Sequence, residues 1–321
     1  MCIRDRIGTV LKNPDMALSL RRIAEGGAGV FYSGDMAEEI AADMEAHGGL
    51  LSLEDLNGYE TVRSEPLWSD YQDYRISTNQ PPGGGIMVLE MLNILENFDL
   101  PAMGHNSPEY IRVVSEAMKY ATIDKDIRIG DPRYVDVPFD ELLDKGYAAD
   151  LAAQIKAGKI SHVARMNEVP ESQDTTHVCT LDADGNAVTM THSLGMPSGV
   201  VTEGLGFMYN GCMGVFDPRP GRAGSLAPGK RRFTSLCPTL LLDRGLPDDE
   251  ALRFVVGAPG GTQIAMGVLQ VILNAVDLDM PVLEAVSAPR FSATSDTIDV
   301  CNRITRSVTR ELEADGYEVA R

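Results

Sequence analysis

The chain has 321 residues, of which 44% are hydrophobic and 23% are charged, as is ordinary for a globular protein with a sizeable core. Its formal net charge of −19 argues against nucleic acid and anionic membranes as partners, because both would repel it. No apolar run reaches membrane-spanning length, and the five cysteines have no CxxC spacing. Isolated cysteines of this kind are typical of a reducing compartment, so a cytoplasmic protein is expected, with a periplasmic one as the alternative.

The first half of the chain is predicted to be mainly helical. Hydrophobic periodicity and capping residues predict helices over residues 15–25, 35–47, 86–95, 108–121 and 139–155. Asp15 is the predicted N-cap of the first helix, and Ser52 is predicted to begin a short capping-box turn. A strand is predicted over residues 74–78, before a segment rich in proline and glycine.

The second half is predicted to contain the strands. Two β-prone arms, residues 175–181 and 187–192, flank a turn rich in Asp, Gly and Asn, which predicts a hairpin. After a loop-rich passage, buried strands are predicted at residues 238–242 and 252–256, with helices at 263–276 and 308–315. Paired strands with helices outside them indicate a layered α/β architecture.

The first arm of the hairpin begins with two threonines after a polar linker. If the Asp174–Thr175 bond is cut, Thr175 carries a nucleophilic Oγ and a free α-amine that can act as its base. Such an amine titrates near pH ~8, so an appreciable fraction is unprotonated at neutral pH. The alternative is a structural Thr-Thr pair, which is common because β-branched residues suit strands.

Two further features could serve acyl transfer. Gly260-Gly261 lies where a strand turns into a helix, so unpaired N–H groups there could stabilise an oxyanion. The alternative is a plain tight turn, which the residues alone slightly favour. Four arginines around a loop could bind a carboxylate bidentately or could form a solvated loop face: Arg219, Arg222, Arg231 and Arg232.

Several motifs together resemble the gamma-glutamyltranspeptidase family. Thr175-Thr176-His177, followed by Asp184-Gly185-Asn186-Ala187-Val188, looks like the start of that family's small subunit. Two later segments are similar to further family motifs, namely Thr234-Ser235-Leu236-Cys237-Pro238-Thr239 and Gly257-Ala258-Pro259-Gly260-Gly261. Upstream segments resemble the large subunit: Gly48-Gly49-Leu50-Leu51, Glu54-Asp55-Leu56, Tyr59, Pro81-Pro82-Gly83-Gly84-Gly85 and Gly130-Asp131-Pro132.

The resemblance implies a four-layer αββα sandwich of the N-terminal-nucleophile hydrolase type, made as a precursor that cuts itself between Asp174 and Thr175. Residues 1–174 would be part of the large subunit and 175–321 part of the small subunit, together forming one globular domain. Both ends of the family pattern are missing from the sequence, which is therefore expected to be a fragment. The resemblance implies no metal and no organic cofactor.

The resemblance also implies roles for particular residues. Thr175 would be the nucleophile, Ser193 matches a threonine that hydrogen-bonds it, and Gly260 and Gly261 match the oxyanion hole. Thr234 and Ser235 match the hydroxyl pair that holds the donor's α-carboxylate.

Three positions that would help hold the donor's α-amino group depart from the family pattern. Gly195 stands in place of an Asn, while Cys212 and Val215 stand in place of two acids. Without these counter-charges for an ammonium group, the sequence does not determine whether the acyl donor carries an α-amino group.

The resemblance therefore leaves three functions. The first is cleavage of a γ-glutamyl-type amide with water or an amine as acceptor. The second is cleavage of a dicarboxylic monoamide, such as an oxamate- or glutaryl-like amide, that lacks the α-amine. The third is an inactive homologue that binds a small acid or a protein partner.

Overall fold

The computed structural model describes residues 8–164, 175–247 and 251–321. Its contacts divide the chain into two compact units. The first unit comprises residues 1–63 and 197–211, and the second comprises residues 64–196 and 212–321. Each unit takes residues from both sides of Thr175, so this division does not follow the predicted subunit boundary. That boundary stays a prediction.

The first unit is helical, and its elements are α1 Pro14–Gly26, α2 Ala28–Tyr32, α3 Asp35–Ala46 and α4 Leu53–Asn57. Its core contains Met36, Ile40 and Leu56, together with Leu205 from the later segment. The prediction of Asp15 as N-cap is wrong: the Asn13 side chain accepts the Met16 N–H at 3.0 Å, and proline takes the first helical position. The predicted capping box at Ser52 is confirmed, with Asp55 as its partner.

The second unit begins with two strands and five helices, which are β1 Leu67–Tyr71, β2 Tyr74–Thr78, α5 Gly85–Leu95, α6 Leu100–Met103, α7 Pro108–Arg128, α8 Phe139–Leu142 and α9 Lys145–Lys156. It continues with the remaining elements, which are β3 Thr175–Leu181, β4 Ala187–Ser193, β5 Thr239–Asp243, β6 Leu252–Val256, α10 Ile264–Val276, α11 Val282–Ser287, β7 Phe291–Ser292, β8 Thr297–Val300, α12 Arg306–Ala314 and β9 Glu318–Ala320.

The main sheet of the second unit is four-stranded and antiparallel throughout, in the order β1-β2-β5-β6. Every residue of α5 is buried, because this helix packs against β1, β2, α7, α9 and α10. The predicted single helix over residues 139–155 is wrong. Asp144 breaks it, since its side chain accepts the Tyr147 N–H at 2.8 Å and so caps α9 as a separate helix.

The predicted hairpin is confirmed as a separate two-stranded sheet of β3 and β4. Two of its side chains reach backbone carbonyls of β6. The Cys179 thiol donates to Val255 O at 3.6 Å, and the Thr189 hydroxyl donates to Val256 O at 3.5 Å. Cys179 and Thr189 face each other across the hairpin, so these contacts place the middle of the hairpin at the carboxyl end of β6.

A third sheet, β7-β8-β9, lies toward the end of the chain and joins its last strand in parallel to β8. Within the described part of the chain, no helix combines the length and the apolar character needed to span a membrane.

Candidate active site

Thr175 is the first residue of β3 and lies directly opposite Ser193, the last residue of β4. The Thr175 hydroxyl donates to Ser193 Oγ at 2.9 Å, and the same oxygen accepts the backbone N–H of Gly195 at 2.9 Å. Side chains alternate along a strand, so Thr175 is half-buried while Thr176 points to the exposed face. The register of the hairpin thus holds one hydroxyl in a defined position at its open end.

His177 follows Thr175 on the same face of β3. Its Nδ1 lies 2.9 Å from Thr191 Oγ1, and its Nε2 lies 3.1 Å from Cys179 Sγ and 3.2 Å from Thr189 Oγ1. Burial lowers the pKa of His177, which favours the neutral imidazole.

The His177 ring lies against the backbone of Gly257, the residue after β6. A Cβ at Gly257 would lie only 2.0 Å from Cε1 of the ring, so no larger residue fits there without a shift. This contact joins the strand that carries Thr175 to the segment that leads to Gly260. The sequence offered no signal for it beyond the glycine itself.

Gly260 and Gly261 follow Gly257 by three and four residues and have φ values of 131° and 59°. Both values fall in the region that favours glycine. The predicted start of the helix at Gln263 shifts by one residue: a 3₁₀ turn, Gly261–Gln263, precedes α10, and Gln263 N donates to Gly260 O at 3.1 Å. Their role as oxyanion donors stays a prediction.

The segment that contains Thr234 and Ser235 lies against the loop that follows β2. Thr234 N donates to Pro82 O at 2.8 Å, and Leu236 O accepts Gly84 N at 2.9 Å and the Asn79 side-chain amide at 3.0 Å. A Cβ at Gly84 would lie 2.7 Å from Ser235 O, so the close approach requires glycine. Sequence reasoning missed Asn79, although it singled out the neighbouring glycines.

Asp131 holds the start of the same segment. It is almost fully buried and accepts hydrogen bonds from the Arg133 guanidinium and from Arg231 N at 2.8 Å. Burial opposes its ionisation, yet the hydrogen bonds from Arg133 and Arg231 prevail and lower the pKa of Asp131 to about 2. An ionised carboxylate therefore anchors the stretch that leads to Arg232.

Gly195, Cys212 and Arg232 form a cluster beside Ser193. A Cβ at Gly195, whose φ is 68°, would lie 2.6 Å from Cys212 Sγ and 3.1 Å from Nη2 of Arg232. The Cys212 thiol donates to Leu194 O at 3.3 Å, and Arg232 Nη1 donates to the carbonyl of Phe233 at 2.9 Å. The guanidinium thus lies next to the residue whose N–H completes the hydrogen bonds of Ser193.

A sequence model of the gamma-glutamyltranspeptidase family matches residues 5–321. The chain belongs to this family. Two similar relatives are the glutathione hydrolase proenzyme of Escherichia coli strain K12 and the acylase ACY 1 proenzyme of Pseudomonas sp. strain V22. Each is 37% identical over 98% of the chain and 56% of its own length. The chain therefore spans about half the length of these relatives.

Among solved structures, the cephalosporin acylase from Bacillus halodurans is similar, with a TM-score of 0.83 and 29% identity over 98% of the chain and 56% of its own. Membership of the gamma-glutamyltranspeptidase family and this likeness confirm the predicted α/β fold of the N-terminal-nucleophile hydrolase type. One of these relatives is named a glutathione hydrolase proenzyme and the other an acylase proenzyme.

The structure brings together only some of the site residues predicted from the family motifs. Thr175, Ser193, Gly195 and Cys212 are neighbours, whereas Val215 ends the 3₁₀ turn Cys212–Val215 with 42% of its surface exposed. Asp174 lies outside the described residues. In residues 8–164, 175–247 and 251–321, no group of three or more His, Cys, Asp or Glu side chains is placed to hold a metal ion.

Proposed function

We propose that the protein is a self-processing N-terminal-threonine hydrolase or acyltransferase that cleaves an amide through an acyl-enzyme on Thr175. The observation that carries the proposal is the hydrogen bond at 2.9 Å between the hydroxyls of Thr175 and Ser193 at the open end of the hairpin. It supports a nucleophile whose rotamer is fixed before the substrate arrives. The names of the relatives as proenzymes support the self-processing step.

Processing would begin with attack of Thr175 Oγ on the carbonyl carbon of Asp174. The C–N bond breaks as the C–O bond forms, which turns the peptide bond into an ester and frees the Thr175 amine after proton transfer. Water then hydrolyses the ester, leaving the Asp174 carboxylate and Thr175 as a new N-terminus. The large and small subunits would remain together as one enzyme.

Catalysis would repeat the same chemistry on a small amide donor. Thr175 Oγ attacks the donor carbonyl, and its α-amine accepts the hydroxyl proton and passes it to the leaving amine. Water or an amine then resolves the ester. In this scheme Gly260 and Gly261 donate N–H groups to the oxyanion, while Thr234 and Ser235 bind the far end of the donor.

N-terminal sequencing of protein made from the complete reading frame tests the proposal. We expect two chains, one of which begins Thr175-Thr176-His177, and a single uncut chain for Thr175→Ala. Thr176→Ala is the matched control, because its hydroxyl lies on the exposed face of β3, and it should be cut as the wild type is. Cleavage before residue 175 in Thr175→Ala would contradict the mechanism. A stable uncut wild type without amidase activity would favour an inactive homologue that only binds its ligand.

A further inference from the structure

Arg232 is half-buried, and the two terminal nitrogens of its guanidinium have different neighbours. Among the described residues its one hydrogen bond goes from Nη1 to the carbonyl of Phe233, its neighbour in the chain. This bond fixes the plane of the group while Nη2 lies at Gly195. Since an arginine carries five N–H donors in a rigid fork, donors remain for a ligand.

The position of Arg232 relative to Thr175 follows from a short series of contacts. Thr175 Oγ1 donates to Ser193 Oγ, and Ser193 Oγ also accepts the backbone N–H of Gly195. A Cβ atom at Gly195 would lie 3.1 Å from Nη2 of Arg232. Gly195 has no side chain to separate the guanidinium from the space beside Ser193. An acyl group on Thr175 that extends toward Gly195 would therefore approach the guanidinium.

Nearby acids do not neutralise this charge. Asp131 pairs with Arg133, and Asp217 pairs with Arg219, whereas the described residues give Arg232 no carboxylate within ion-pair distance. The two residues beside the guanidinium, Gly195 and Cys212, contribute no carboxylate.

We infer that Arg232 selects acyl donors that end in a carboxylate and carry no ammonium group, a class represented by dicarboxylic monoamides such as glutaryl amides. This inference rests on the proposed function, since it needs the donor to bind at Thr175. A guanidinium binds a carboxylate through two parallel N–H···O bonds, which gives both affinity and alignment. An ammonium group on the donor would meet the same positive charge without a compensating acid, which lowers its affinity.

Three p-nitroanilides of similar size separate these effects: glutaryl (anionic), glutaramyl (neutral, of the same shape) and γ-glutamyl (which adds the ammonium group). For the processed wild-type protein, from the complete reading frame, we expect kcat/KM for glutaryl to exceed that for each of the other two by about 10-fold or more. Arg232→Gln should lower the glutaryl value by about 30-fold and change the glutaramyl value by less than about 3-fold.

Two further variants control for charge and folding. Arg310→Gln removes the same charge from the exposed face of α12 and should leave all three values unchanged. Arg232→Lys keeps the charge but not the fork, so it should retain part of the glutaryl preference. Cleavage before Thr175 reports folding in every variant.

The outcomes distinguish this inference from the proposed function. A wild type that prefers γ-glutamyl, or an Arg232→Gln variant that lowers all three values equally, would overturn the role of Arg232 while leaving Thr175 as nucleophile. A wild type that hydrolyses none of the anilides and stays uncut would overturn the proposed function itself.

Discussion

Replacing Ser193 by alanine removes the oxygen that links the Thr175 hydroxyl to the Gly195 N–H. Both hydrogen bonds are 2.9 Å long and join neutral groups, so each contributes about 1 kcal/mol net. We therefore expect Ser193→Ala to lose about 1–2 kcal/mol of stability. Loss of the bond that orients Thr175 should slow both self-cleavage and anilide hydrolysis by about 10-fold.

Ser193→Thr is the informative partner variant. It keeps the oxygen, and a β-branched residue suits the end of β4. Self-cleavage followed by gel densitometry, and kcat with glutaryl-p-nitroanilide, should stay near wild type in Ser193→Thr and fall in Ser193→Ala. Wild-type rates in Ser193→Ala, or equally slow rates in both variants, would contradict this role of Ser193.

Three other predictions concern the framework of the site. Gly257→Ala should slow self-cleavage and lower the melting temperature, because the new methyl group meets the ring of His177. Adding His177→Ala should restore the melting temperature, and a double variant without this recovery would argue against the contact. Asp131→Asn should cost about 2 kcal/mol in urea unfolding at pH 7, because it removes charge-assisted hydrogen bonds. The pKa of Asp131 is lowered by folding to about 2, so its contribution is complete above the unfolded value of about 4 and is lost as pH falls toward 2. The cost should therefore shrink at pH 3, and an equal cost at both pH values would contradict the assignment. Glu90 lies fully buried in α5, and this burial raises its pKa. The folded state therefore holds its proton after the unfolded state has lost it, and stability falls as pH rises above about 4. Glu90→Gln should accordingly gain in melting temperature over wild type between pH 5 and pH 8, and a constant difference would refute this.

The sequence correctly predicted the strands whose β-prone residues are bounded on both sides by turn residues. The strands at residues 74–78 and 252–256 and the hairpin begin and end close to where β2, β6, β3 and β4 do, since short β-prone runs lie there between turn residues. The edge strand β1 was missed, because Leu-Trp-Ser-Asp-Tyr has a polar centre and pairs only with β2. Local periodicity also could not show that Asp144 would cap a new helix inside residues 139–155.

In the candidate site, local sequence could predict the contacts within the hairpin but not the contacts that depend on distant segments. The pairing of Thr175 with Ser193 follows from the register of one hairpin, so sequence motifs and local structure agree on it. The position of Arg232 beside Gly195 depends on how the loop between Cys212 and Arg232 is anchored, and the Asp131 carboxylate that anchors it lies in another segment. The sequence therefore identified the arginine, but it left open whether Arg232 binds a carboxylate or belongs to a solvated loop face.

The most direct test of the central claim is the mass of the covalent intermediate. Processed enzyme from the complete reading frame is mixed with excess glutaryl-p-nitroanilide, quenched in acid within the first turnover, digested and analysed by mass spectrometry. We expect one added acyl group on the peptide that begins with Thr175, in step with a burst of p-nitroaniline. An acyl group on another residue, or a burst without any adduct, would contradict the assignment of Thr175 as the nucleophile.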